Sequence, residues 1–382
     1  MRPTCSRELA DAICEAANSG ARLSIRGGGS KDGIGDRVDA TTLDMTAFSG
    51  VIDYDPAELV LTAWAGTPLA AIEAVVASQN QALAFAPFDH GPVYGRAAGD
   101  ATIGGVIAAG VAGPLRLSLG GARDHLLGFE AVSGRGEVFK AGGRVVKNVT
   151  GFDLPKLMAG SWGRLAAMTQ VTLRILPRPR AQLTKQFVNA GVRDALNMMA
   201  AAMRSAAEVR AAAHLPCSAA HGSQPVTALL LAGFPASITA RSLQIDDLFP
   251  GHDRLEALAD EESEAFWRAV ATAAPLGSGR PLWRISAPAS RTAEIGETLG
   301  LGPGDQLFDW AGGLLWAAYE GDAAKVRSAA DAAGGQAMLV RAPAERRMAV
   351  AALHPRSRGV AALEERVRRA FDPAGLFETG RF

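Results

Sequence analysis

Leu9 and Ile13 stand four apart on one helical face, and Asn18, Ser19 and Gly20 stop the pattern, so Ser6 to Ala17 is expected to be a helix. A short apolar run, Leu23 to Ile25, reads as a strand and leads directly into Arg26, Gly27, Gly28, Gly29 and Ser30. Leu59 to Trp64 is the next strand. Thr67 followed by Pro68 has the chemistry of an N-cap and first helical position, for a helix reaching about Gln79. From Gly91 to Gly121 glycine and alanine crowd together, and Phe129 to Lys140 then has the pattern of a hairpin turning at Ser133, Gly134, Arg135 and Gly136. Val171 to Leu176 is the last strand of this half. The run Pro177, Arg178, Pro179, Arg180 suits neither a strand nor a helix and is the expected linker.

Beyond it the alternation is more regular. Strands are expected at Lys185 to Val188, Val226 to Ala232, Leu282 to Ser286, Gln306 to Asp309, Leu314 to Ala318 and Met338 to Val340. Alanine-rich helical stretches lie between them, including Asp194 to Val209, Glu261 to Thr272 and Asp322 to Ala333. Strands whose helices all cover one side give an α+β sandwich, and the spacing suits a ferredoxin-like unit. No internal repeat of fixed period is visible.

Composition narrows the functional classes. A chain of 382 residues that is 48% hydrophobic can bury large cores and divide into two or three bodies. Lys plus Arg equals Asp plus Glu at 39 each, without a long run of either sign, which disfavours nucleic-acid and membrane-surface binding. Cys5, Cys14 and Cys217 share no C-x-x-C spacing, so no disulfide framework, zinc site, iron-sulfur cluster or other metal site is expected, and a reducing cytoplasm fits. No stretch of about 18 apolar residues offers a direct membrane span, so membrane contact is expected only through a partner.

The candidate chemistry sits in two glycine-rich loops. Accepting a diphosphate requires several backbone N–H groups presented at once, in turns that no Cβ obstructs. Gly27 to Gly29 after a strand can supply one such nest. Asp100 to Gly110 supplies a second: a hydroxyl at Thr102, then small residues opening a short helix, so that a flat cofactor can approach the backbone. Neither loop is a G-x-G-x-x-G after a strand, and no G-x-x-x-x-G-K-[ST] occurs, so the ligand is not held in the Rossmann or P-loop manner.

Five segments in order resemble the FAD domain of the vanillyl-alcohol-oxidase (PCMH-type) superfamily. They are RGGGSK (Arg26 to Lys31), ATIGG (Ala101 to Gly105), RDHLLG (Arg123 to Gly128), VVKNVTGFDLPKL (Val145 to Leu157) and GSWGRLAAMTQVTLRILP (Gly160 to Pro177). The whole chain is similar in particular to the small flavin subunits of bacterial glycolate oxidases, the GlcE type, with Phe152 where tyrosine is common. The resemblance implies an α+β, two-domain PCMH-type FAD-binding fold with a ferredoxin-like cap: an FAD domain over residues 1–178, a cap over 182–350, and a helix and tail over 351–382 returning to the FAD domain. It also implies site residues. Gly27, Gly28, Gly29 and Ser30 form the first diphosphate loop, while Ala101, Thr102, Gly104, Gly105, Ala108 and Gly110 line the second. Gly163, Leu165 and Met168 fall where such proteins wrap backbone around the cofactor, although Trp162 and Arg164 replace the usual glutamate and threonine. In the tail FDPAGLFETGRF, Glu378 and Thr379 replace Asn-Pro. Flavin-tethering members place a histidine or cysteine where this chain has Ser30 and Ala109, so the FAD is expected to be non-covalent.

For function, the resemblance implies oxidation of a small 2-hydroxy acid such as glycolate or D-lactate, beside a larger FAD subunit and an iron-sulfur subunit. Such oxidation needs a cation for the carboxylate and a base for the hydroxyl proton. Arg284, in the strand LWRIS, is the candidate cation. The H-x-G-D-G-N-x-H motif of the related catalytic subunits is absent, and none of His90, His125, His214, His221, His252 and His354 is assigned as base. His125 is read as a loop anchor, His354 as part of an ordinary turn, and Trp310, Gly312, Gly313 and Trp316 as core. Two readings stay open: an enzyme acting at its own flavin, or a non-catalytic flavin subunit that relays electrons or supports assembly.

Overall fold

The computed structural model describes residues 1–36, 39–143, 152–188, 191–218 and 222–382. Most of the segment VVKNVTGFDLPKL, and His221, therefore lie outside the described residues. Eight strands occupy the first half among these: β1 (Leu23–Arg26), β2 (Thr41–Asp44), β3 (Val51–Asp55), β4 (Val60–Trp64), β5 (Gln81–Leu83), β6 (Leu126–Ser133), β7 (Val138–Gly142) and β8 (Ala166–Pro177). β1 and β2 pair in parallel, and the others form one sheet of order β3-β4-β8-β6-β7, with β5 on the far end of β8. β6 is buried along nearly its whole length because it is central, whereas β7, at the edge, alternates exposed and half-buried positions.

Two local expectations are corrected. Leu59 does not begin its strand; its φ of 57° makes it part of the preceding turn. Thr67 does not cap the following helix, which starts at Leu69 behind an extended Pro68. Its hydroxyl instead donates to the Trp64 carbonyl (2.6 Å) and accepts from the Gly50 N–H (2.9 Å), tying the end of β4 to the loop before β3.

The second half carries β9 (Ala181–Val188), β10 (Ala211–Ser218), β11 (Gln224–Gly233), β12 (Leu258–Ala259), β13 (Leu282–Ser286), β14 (Gln306–Asp309), β15 (Leu314–Ala318) and β16 (Gln336–Arg341). They form a single antiparallel sheet of order β12-β9-β11-β10-β14-β15-β13-β16. Its connectivity resolves into two consecutive βαββαβ units. β9 to β12 stand in the order fourth-first-third-second, β13 to β16 repeat that order in mirror sense, and the units join through β10 and β14. The ferredoxin-like topology is thus present twice, although the sequence shows no repeat. β10 was not anticipated: AAAHLPCS favours helix by propensity, but it is buried between β11 and β14, where packing overrides propensity.

Register sorts the side chains of this sheet onto two faces. Arg284 pairs with Trp316, and Trp316 with Leu307, so these three and Asp309, two residues further on, share a face. That face meets the first half in a core holding Leu307, Trp310 and Trp316 with Ile34, Val93 and Ala112. The opposite face, with Trp283, Ile285, Phe308 and Leu315, is covered by helices including Val192–Arg204, Thr292–Leu299 and Ala323–Ala332. The helix Asp260–Ala271 departs from the expected one-sided arrangement, because its Trp267 and Val270 belong to the core on the Arg284 face.

The chain then returns. After the helix Arg358–Phe371, Leu376 and Phe377 enter the core around Leu9, Ile13 and Leu23. The Asp372 carboxylate accepts from the Leu376 and Phe377 N–H groups, and Leu23 donates its N–H to the Leu376 carbonyl (2.8 Å).

Candidate functional site

The end of β1 and the turn before the short helix Ile103–Ala108 converge on a groove of about 860 Å³, its solvent-facing mouth included. Thr102 caps that helix, its Oγ1 accepting from the Gly105 N–H (3.3 Å). The two loops are in contact. A Cβ at Gly27 would stand 2.2 Å from Thr102 Oγ1, one at Gly28 would stand 2.0 Å from the Asp100 carbonyl, and one at Gly104 would collide with Ala65. Gly27 and Gly28 are therefore needed for loop to meet loop, and Gly104 for the second loop to pack on the end of β4, in addition to the ligand access expected from sequence. Gly29 and Gly163 take φ of +85° and +74°. Among the described residues, the N–H groups of Gly27, Gly28, Gly29 and Ser30 find no protein acceptor. A set of clustered amides without acceptors among the described residues, lining the groove where two loops touch, fits an oxyanion-rich diphosphate.

Of the residues expected from sequence, Gly27, Gly28, Gly29 and Ser30 line this groove, as do Thr102, Gly104, Gly105 and Ala108, and Gly163 and Met168 from the third segment. Three others stand behind it. Ala101 gives its N–H to Asp89 (2.8 Å), Gly110 turns against Gly160 with φ +62°, and Leu165 is buried in the core below. The groove also receives residues that had no assigned role. Lys31 is pushed down to about 8 by burial, with Asp89 opposing and Arg381 adding to the shift. Arg381 and Phe382 come from the tail, more than 300 positions away, which no local spacing could reveal.

The departures from the superfamily pattern meet one another in space. Arg164 donates to Glu378 (2.7 Å), and the Trp162 ring centroid lies 4.8 Å from that of Phe382. Glu378 is also clasped by Arg368. Glu378→Gln combined with Arg164→Met in a double-mutant cycle is expected to show a coupling of about 1 kcal/mol in urea unfolding. A coupling indistinguishable from zero would mean that the pair does not hold the tail.

On the facing sheet, half-buried Arg284 places its Cζ 4.8 Å from the Trp310 ring centroid and 6.0 Å from that of Trp316. Trp310, with φ 52°, is pinned by its Nε1–H to the Gly113 carbonyl (3.0 Å) and by its N–H to Asp309 Oδ1 (2.7 Å). Asp309 is 1% exposed. Burial raises it to about 7, against the pull of the Trp310 N–H and Arg284. Burial, then neighbouring Arg116, lowers Arg284 to about 10, with Asp309 opposing. The reading of Trp310 and Trp316 as core holds, with the addition that both rings border this cation.

The described histidines are largely accounted for by structure. His125 Nε2 pairs with the Leu119 carbonyl (2.5 Å), and His214 lies opposite Phe308 on the helix-covered face, bonded to Thr227. His354, expected in an ordinary turn, joins the Ala337 N–H to Asp331. His90 is buried against Phe88, its rings 4.6 Å apart; burial, then Lys31 and Arg284, hold it well below its usual range and therefore neutral.

Residues 1–142 match the family described as FAD binding domain. The chain is 31% identical over 177 residues to D-2-hydroxyglutarate dehydrogenase of Xanthomonas citri pv. viticola, a match covering 46% of this chain and 36% of that one. Among solved structures, alkyldihydroxyacetonephosphate synthase superposes with a TM-score of 0.70 at 12% identity, over 98% of this chain and 74% of that one. That likeness concerns the fold alone, and it bears out the expected two-part α+β architecture of PCMH-type FAD-binding proteins. Glycolate oxidase subunit GlcE of Escherichia coli (strain K12) is 33% identical over 379 residues, covering 98% of this chain and 97% of that protein. With an identity that runs from end to end of both sequences, the chain belongs to the family of glycolate oxidase subunit GlcE, within the PCMH-type FAD-binding superfamily.

Proposed function

We propose that this chain is the flavin-binding subunit of a complex that oxidises small 2-hydroxy acids, of the glycolate and D-lactate type, to 2-oxo acids. FAD is its cofactor. The observation that carries the reading is the pair of touching loops whose N–H groups at Gly27 to Ser30 have no acceptor among the described residues. In this reading those amides hold the diphosphate, Thr102, Gly104, Gly105 and Ala108 flank it, and Gly163 and Met168 complete the wall. Ala101, Gly110 and Leu165 shape the loops from behind. Lys31 adds a positive charge to the same groove. Ser30 and Ala109 offer no nucleophile suited to tethering, so the cofactor is dissociable. Bound FAD supplies a two-electron acceptor. Arg284 is assigned to the substrate carboxylate, since it reaches the inter-unit face with no hydrogen-bond acceptor among the described residues.

The purified chain is expected to be yellow, to release FAD on acid denaturation, and to bleach anaerobically with glycolate or D-lactate. Colourless protein that takes up no FAD on reconstitution would refute the assignment. A second reading, in which the chain relays electrons or supports assembly, is favoured by the structural engagement of His125, His214 and His354. It is the correct one if bleaching occurs only after partners are added. The partners we assign are a larger flavin subunit and an iron-sulfur subunit, a reading supported by the likeness to a protein named as one subunit of a glycolate oxidase. No helix among the described residues is long and apolar enough to cross a membrane. Cytoplasmic residence, with membrane contact only through a partner, is part of the same proposal.

A further inference from the structure

We propose that Arg116 and Arg284, brought to the same Trp310 indole from the two halves of the molecule, form one composite site for the carboxylate of a small 2-hydroxy or 2-oxo acid. The inference rests on the reading above and extends it to a residue that neither the glycine loops nor the cap strand pointed to. Arg116 belongs to the short helix Arg116–Leu119, just after the second glycine loop. Its Cζ lies 4.9 Å from the Trp310 ring centroid, while that of Arg284 lies 4.8 Å from it. The two charges are thereby held within about 10 Å of each other, roughly one Debye length.

Like charges at that separation, one of them half-buried, raise the free energy of the junction unless an anion joins them. The protein does not provide a full counter-charge. Neither guanidinium makes a hydrogen bond or ion pair with a described residue; each instead lies against indole rings. Asp309 faces Arg284, but one of its oxygens is occupied by the Trp310 N–H and burial favours its neutral form. Asp89 is also committed, with Oδ1 accepting from Gly91 and Oδ2 from Gly99 and Ala101. His90 is neutral and Lys31 adds positive charge, so the junction is net cationic. A planar carboxylate suits guanidinium forks, and the indole beside it offers apolar surface to a short carbon chain. Trp310 is fixed by Gly113 on one side and Asp309 on the other, so both cations are positioned by a side chain that cannot easily turn away.

The test is binding, kept separate from turnover. The FAD-loaded chain is titrated with oxamate, a 2-oxo monocarboxylate that a flavin cannot oxidise, followed by calorimetry and by tryptophan fluorescence. Wild type is expected to bind and to change its fluorescence. Arg116→Gln and Arg284→Gln should each weaken oxamate binding at least tenfold while retaining flavin absorbance, and Arg116→Lys should recover part of the loss. Absence of oxamate binding by wild type, or wild-type affinity in Arg116→Gln, overturns the composite site. If binding depends on both arginines but no 2-hydroxy acid bleaches the flavin, the site stands and the oxidation reading falls.

Discussion

Gly28→Ala is expected to cost the protein its flavin. The added Cβ would meet the Asp100 carbonyl oxygen at 2.0 Å, a contact with rigid backbone. That backbone has little room to move, because the Gly99 and Ala101 N–H groups on either side are both bonded to Asp89. The first loop must yield instead, and the amides of Gly27 to Ser30 then lose their common focus. Overpacking costs about 1–3 kcal/mol, and each charge-assisted bond lost to the diphosphate costs about 1.5–3 kcal/mol. Affinity for FAD should fall more than about 100-fold, which is roughly 3 kcal/mol. Flavin content after purification and quenching of FAD fluorescence measure it directly. Gly143→Ala, where a Cβ meets nothing within 4 Å, is the matched control and should keep wild-type FAD content. Wild-type affinity in Gly28→Ala would show that the loops do not need to touch.

A second large effect belongs to Asp309. Its folded-state value of about 7 lies above the 3.8 of an unperturbed aspartate, so the folded protein holds a proton that the unfolded chain releases. Stability from this group is greatest at and below about pH 4 and is lost as pH rises to about 7, with a full span of up to about 4 kcal/mol. Burial sets this value, opposed first by the Trp310 N–H and then by Arg284 beside it. Asp309→Asn keeps an acceptor for that N–H but cannot ionise. Urea unfolding should therefore show a wild type that weakens between about pH 4 and pH 7 relative to the variant, and parallel curves above that. Equal slopes throughout would mean that Asp309 titrates in the folded protein as it does in the unfolded chain.

What could be read from the sequence was what local chemistry determines. The Gly27–Gly29 turn, the short helix opening after Thr102 and the hairpin at Ser133 to Gly136 each depend on neighbours within a few residues, and all three are present. Leu282 to Ser286 and Leu314 to Ala318 were found to the residue because short apolar runs between turns have few alternatives. β10 escaped because alanine speaks for helix until a sheet closes on both sides. The doubled βαββαβ plan escaped because topology repeats without sequence repeating. Arg116, Asp309 and Arg381 could not be assigned, since each acquires its place only through strand register or through a contact with the opposite half of the chain. The substitutions at Arg164 and Glu378 looked like two separate weaknesses in the superfamily pattern; placed side by side they are one ion pair.

The returning tail has a consequence for biosynthesis. Leu23 is bonded to Leu376, and Arg381 reaches the Lys31 and Ile34 carbonyls just beyond the first glycine turn. A nascent chain emerging from the ribosome thus carries its phosphate-binding turn early but gains the clasp around that turn only some 350 residues later. Tight cofactor capture is then expected to wait until the tail has been made, and a stop codon placed before Arg381 should yield a folded cap on an empty, protease-sensitive partner half.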